Sequence, residues 1–192
     1  MSSALHVYAV SIEELHKALG SGDEELIAQI LECQEDFLQT IDEIDDEAEF
    51  SCAEAVGELI RGELNEDAPR YFYGYALEAI CFQLGDELPN ICPISRASTW
   101  IEEVDVLLKH FGIPVRLLQL IHGGSPVRIP EPDDYPYIGS WTSAEVTAAK
   151  AAFAGYDSTD IRPDMEATLQ QIRGWVEAAA KRPGNAVVGF LS

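Results

Sequence analysis

Apolar positions change their period along this chain, and each change marks an element. Leu5, Val7 and Ala9 alternate with His6, Tyr8 and Val10, the two-residue period of a strand. At Ser11 the period lengthens. Ile12, Leu15 and Leu19 share one helical face, and Gly20 supplies a left-handed stop. The start has the form Ser-x-x-Glu (Ser11, Glu14), in which the serine accepts from the third helical N–H and the glutamate reaches back. The same form recurs at Ser21/Glu24, Ser51/Glu54, Thr99/Glu102 and Thr142/Glu145. It predicts a long helix through Leu26 to Ile41, one ending at Gly62, one from Ile101 to Phe111 stopped by Gly112, and one ending at Gly155. Tyr71 to Leu84 is apolar and aromatic nearly all round, which marks a central, buried helix. The last helix spans about Pro163 to Lys181, and Lys181 and Arg182 complement its dipole. Ala186 to Leu191 reads as a closing strand.

The segment Ile113 to Ile121 fits two readings. Leu117-Leu118-Gln119-Leu120 suits a helix, whereas Pro114 and the β-branched residues suit a strand. The turn signal His122-Gly123-Gly124-Ser125 and the short run Val127-Arg128-Ile129 favour a strand in a hairpin, its second arm held to an edge by Pro126 and Pro130. Residues 63–69, 86–97 and 130–137 read as loops. Strands at both ends and one central hairpin do not make the alternating pattern of a doubly wound sheet. The expectation is an α+β fold in which a small mixed or antiparallel sheet carries about six helices on one side. The first and last strands are expected as neighbours. At 192 residues the chain suits a single globular domain, 1–192.

Charge changes this picture. Against 12 Lys and Arg stand 34 Asp and Glu, a net of −22, a field that repels nucleic-acid backbones and anionic lipid. Residues 1–67 carry 19 acidic and 2 basic residues, a net of −17, and residues 68–192 carry the remaining −5. The plainer account is that this charge only keeps the chain soluble, but the acidity is segregated, so a negative face and a basic protein partner of an immunity- or antitoxin-like kind become the leading functional expectation. Cys33, Cys52, Cys81 and Cys92 form no Cys-x-x-Cys pair, and the first three lie in apolar-periodic segments, so reduced cysteines, these three in the core, and no metal or other cofactor are expected. No apolar run approaches the roughly 20 residues of a membrane helix, and Met1 to Val10 lacks a signal peptide's cationic start. The cytoplasm is the expected location, with neither nucleic acid nor membrane as partner.

Several stretches together resemble a known pattern. They are Leu-His-Val-Tyr-Ala-Val-Ser-Ile-Glu-Glu-Leu (5–15), Tyr-Gly-Tyr-Ala-Leu-Glu (73–78), Pro-Glu-Pro-Asp-Asp-Tyr-Pro (130–136), Gly-Ser-Trp-Thr-Ser-Ala-Glu-Val (139–146), Gln-Ile-Arg-Gly-Trp-Val-Glu-Ala-Ala-Ala (171–180) and Val-Val-Gly-Phe-Leu (187–191). The chain resembles a family of bacterial proteins of unknown function and is distantly similar to the YfbM-like family. The resemblance implies an α+β fold and no activity. It departs from the YfbM-like pattern in having no Trp before Trp100.

Four constellations could carry chemistry. His122 beside Gly123, Gly124 and Ser125 offers a base and a hydroxyl, although a turn accounts for every residue there. Asp133, Asp134 and Tyr135, with Trp141 beyond, form an acidic and aromatic loop of the kind that binds ligands; packing of Trp141 on the core is the plainer account. Tyr71 and Tyr75 share a helical face and could line a pocket or belong to the core. The acidic run Asp42 to Glu47 lacks the spacing of a calcium loop. His6, His16 and His110 pair with no evident partner. A small-molecule site or enzyme around 122–141 is the alternative to a basic partner, and self-association is a third possibility.

Overall fold

The structure, a computed structural model, describes residues 4–44, 48–90, 98–156 and 161–192. Its elements are β1 (Leu5–Ser11), α1 (Ile12–Ala18), α2 (Glu24–Cys33), α3 (Glu35–Asp42), α4 (Cys52–Arg61), α5 (Arg70–Leu84), β2 (Asp86–Leu88), α6 (Ser98–His110), α7 (Leu117–His122), β3 (Tyr137–Trp141), α8 (Ser143–Phe153), α9 (Pro163–Ala179) and β4 (Asn185–Leu191). The fold is α+β. Its four strands form an antiparallel sheet in the order β2-β1-β4-β3. The first and last strands are neighbours as expected, paired from Leu5↔Leu191 to Ser11↔Asn185.

Strand alternation divides the core in two. Leu5, Val7 and Ala9 of β1 join Trp141, Val187 and Leu191 in one cluster with residues of α6–α9. Tyr8 and Val10 join Ile138, Val188 and Phe190 in the other, with residues of α1–α5. Helices therefore cover both faces of the sheet, not one as the sequence suggested. A sheet apolar on both faces requires this, since either face left bare would expose a large apolar surface.

The helix starts are partly as expected. Ser51 with Glu54 and Thr142 with Glu145 form complete capping boxes. Ser11 accepts from the Glu14 N–H as the cap of α1. Elsewhere the caps differ. Asp23 caps α2, accepting from Glu25 and Leu26 N–H, and Ser21 Oγ instead accepts from Asp23 N. Thr99 lies inside α6, which begins at Ser98. The long helix expected to Ile41 is broken at Gln34, whose φ of −118° and ψ of 19° leave the helical range.

The expected hairpin is absent. Leu117–His122 is the helix α7, and residues 127–129 form no strand. The carboxylate of Asp105, on α6, accepts from the N–H groups of Leu117 (2.6 Å) and Leu118 (3.2 Å), capping α7 from outside its own segment. The sheet's further strands are β2, an edge strand with Asp86 and Glu87 exposed, and β3; the sequence reading placed loop at 86–88. A glycine pair seats α7 on the sheet. Gly139 and Gly189 face each other across β3 and β4, and a Cβ there would lie 2.1 Å from Gln119 O and 2.7 Å from Leu120 O respectively.

Candidate functional site

The site grows from α5. This helix is buried along most of its length, and Gly74 leaves a gap in its flank. A Cβ there would lie 2.7 Å from Pro132 Cγ and 2.8 Å from Pro136 Cγ, so the proline-rich loop rests directly on the helix. The loop's intervening residues, Asp133, Asp134 and Tyr135, then project beside Tyr71 and Tyr75. Together with Pro69, Arg70 and Ile44, these five line a cleft of about 510 Å³. That volume is within the range of small-ligand sites.

Aromatic ring contacts join two more residues, Tyr137 and His122, to this group. His122, at the end of α7, lies edge-on to Tyr137 at 4.7 Å, and Tyr137 packs against Tyr135 at 4.8 Å. The Tyr137 hydroxyl donates to Asp134 (3.1 Å), and that bond holds the phenol's pKa above its ordinary value. Tyr75 is 6% exposed and makes an edge contact with Phe37 at 6.3 Å. Burial, with the negative charge of Glu78 next, pushes its phenol up to about 12, so it stays protonated at neutral pH. At the rim, Arg70 Nη1 lies 3.6 Å from Asp133 Oδ1, both well exposed.

Trp141, expected with this loop, lies elsewhere. It is fully buried on the opposite sheet face, 6.3 Å from Trp175, and donates to Arg116 O (2.8 Å). Ser125 is engaged locally: its hydroxyl donates to Val127 O (2.7 Å) and accepts from Val127 N. No His122–Ser125 hydrogen bond forms among the described residues. In the acidic run, Asp42 accepts from Cys52 N (2.7 Å) and so assists the start of α4; residues 45–47 lie outside the described ones. Cys52 and Cys81 are buried as expected, but Cys33, expected in the core, is exposed, because α2 turns Ile27 and Ile30 inward instead; Cys92 lies outside the described residues. Among the described residues no group of three or more His, Cys, Asp or Glu is placed to hold a metal ion, and no helix is long and apolar enough to cross a membrane.

A second constellation escaped the sequence reading. His6 does have a partner, 72 residues away: its Nδ1 bonds Glu78 Oε1 at 2.5 Å. Tyr8 donates to the same oxygen (3.2 Å), and the other carboxylate oxygen, Oε2, is buried with no hydrogen-bond partner among the described residues. Glu78 is 1% exposed, while the His6 side chain is 37% exposed. The bond to Glu78, opposed by burial and reinforced by the charges of Glu78 and Glu87, raises the His6 pKa from 6.5. The available signal was Glu78 itself, the sole acid of the helix, set among the apolar and aromatic residues between Arg70 and Gln83.

The chain belongs to a family described as a domain of unknown function (DUF7691), matched over residues 1–192. No curated protein and no solved structure matches it.

Proposed function

We propose that this protein is a non-enzymatic acidic binding protein of the bacterial cytoplasm that engages a basic protein partner, in the manner of an immunity protein or antitoxin. One observation carries the reading. The exposed acids of the first third, among them Glu13, Glu24, Glu32, Glu35 and Asp36, ride on α1–α3, in the layer that also holds the cleft of Tyr71, Tyr75 and Tyr135. Fields from one-signed surfaces steer oppositely charged partners and raise their association rates. The YfbM-like kinship is part of the same proposal and rests on the segments quoted above.

The test is capture of basic proteins on the immobilised chain over a salt series. Retention at low salt that falls steeply with ionic strength, and falls further when Glu32, Glu35 and Asp36 become Gln, Gln and Asn, supports the reading. Retention indifferent to salt and to those substitutions sinks it. A second reading, a small-molecule site in the same cleft, is favoured by the cleft's volume of about 510 Å³.

A further inference from the structure

We propose that the cleft between the start of α5 and the 130–136 loop receives an arginine side chain of that basic partner. The inference rests on the basic-partner reading and names the group recognised. Three tyrosines, 71, 75 and 135, supply aromatic surface, and Asp133 and Asp134 supply negative charge at the mouth. A guanidinium uses both at once, since it stacks on ring faces while its forked N–H groups meet a carboxylate. An ammonium is a more strongly hydrated point charge and uses the ring faces less well. The Tyr75 hydroxyl makes no hydrogen bond with the described residues. A phenolic oxygen keeps a lone pair, so this one, in the lining of the cleft, can accept from an incoming N–H.

The rim already shows this preference. Arg70 is the first residue of α5, an unfavourable end of a helix for a cation, and no acid stands in that helix's first turn. Its guanidinium lies beside Asp133 at 3.6 Å, with side-chain exposures of 58% and 86%. Arg70 is therefore a weakly held resident cation at the mouth, and the partner's arginine competes with it for Asp133. Removing Arg70 should tighten binding, a gain that a misfolded variant cannot imitate.

The experiment titrates the isotopically labelled protein with four probes: a Gly-Gly-Arg-Gly-Gly peptide with blocked ends, its lysine and citrulline counterparts, and free arginine. Amide shifts are followed by NMR. The arginine peptide should perturb Arg70, Tyr71, Tyr75 and Tyr135. Lysine should bind several-fold more weakly, and neutral citrulline should not bind measurably. Free arginine should bind more weakly than the peptide, because its own carboxylate faces Asp133 and Asp134. Tyr135→Ala and Asp133→Asn should each weaken the arginine peptide about five- to tenfold, and Arg70→Gln should strengthen it about threefold. Citrulline or lysine binding as tightly as arginine, free arginine binding more tightly than the peptide, shifts that map elsewhere, or weaker binding by Arg70→Gln would each overturn the assignment. The two proposals fail separately. Salt-dependent capture of basic protein that is indifferent to Tyr135→Ala sinks the cleft alone. An arginine-binding cleft on a chain that captures no basic protein sinks the partner reading alone.

Discussion

Replacing His6 by Ala would strand a charge. Glu78 is 1% exposed, and among the described residues its bonds come from His6 Nδ1 and Tyr8 alone while Oε2 has none. Breaking a buried ion pair by removing one partner costs about 3–5 kcal/mol when both groups are dry. Here the His6 side chain is 37% exposed, so water already screens the pair, and Tyr8 keeps its bond. About 2 kcal/mol is the expected loss once that screening is allowed for. For a chain of this length that is about 4–8 °C in Tm. The assay is thermal and urea unfolding of four proteins: wild type, His6→Ala, Glu78→Gln and the double variant. If the cost comes from the stranded carboxylate, neutralising it should repair part of the damage, and the double variant should be more stable than His6→Ala by about 1 kcal/mol. Additive losses would refute the reasoning. The pH dependence has a fixed sign. The His6 pKa is raised in the folded state above 6.5, so its stabilisation is complete below pH 6.5 and declines as pH rises through the folded value. Glu78→Gln should lack that decline.

Three further outcomes follow from packing and exposure. Gly139→Ala places a methyl 2.1 Å from Gln119 O, backbone that cannot rotate away, and should cost about 3 kcal/mol or more in unfolding experiments. Gly174→Ala, inside α9 with nothing within 4 Å of the new methyl, should instead stabilise by about 0.5–1 kcal/mol. In a Cys92→Ser background, an aromatic disulfide reagent should titrate one thiol in the folded protein, Cys33, and all three only after denaturation. Burial raises the thiol pKa of Cys52 and Cys81 and keeps both inert.

What was legible in the sequence was local. Ser51/Glu54 and Thr142/Glu145 work within four residues, so their pattern and their geometry coincide. Alternation in 5–10 and the short apolar run 186–191 likewise report strands directly. The segment 113–121 was misread because the group that starts its helix, Asp105, lies on another helix, beyond the reach of any local period. Ser21 lost its capping role to Asp23, two residues on and equally suited to it. For the cleft, the sequence singled out the 133–135 loop and the helix face of Tyr71 and Tyr75 but not their contact. That contact depends on Gly74, which reads as an incidental glycine in a helix until Pro132 and Pro136 are seen against it. Trp141 belonged with the loop by proximity alone, and the one-residue alternation of β3 sends it to the opposite face.

β4 is buried at all seven positions and lies between β1 and β3. It pairs with β1 across nearly the whole length of the chain, so the centre of the sheet is assembled from its most distant parts, an arrangement that slows folding. The same geometry makes β4 a natural donor strand. A chain ending at Gly184 would hold a slot with unpaired backbone on both sides and apolar floors above and below. A separate peptide carrying Asn185–Leu191 could enter it, the way an added strand completes an open sheet. The pair would form a two-part protein whose reassembly reports the folding of everything else.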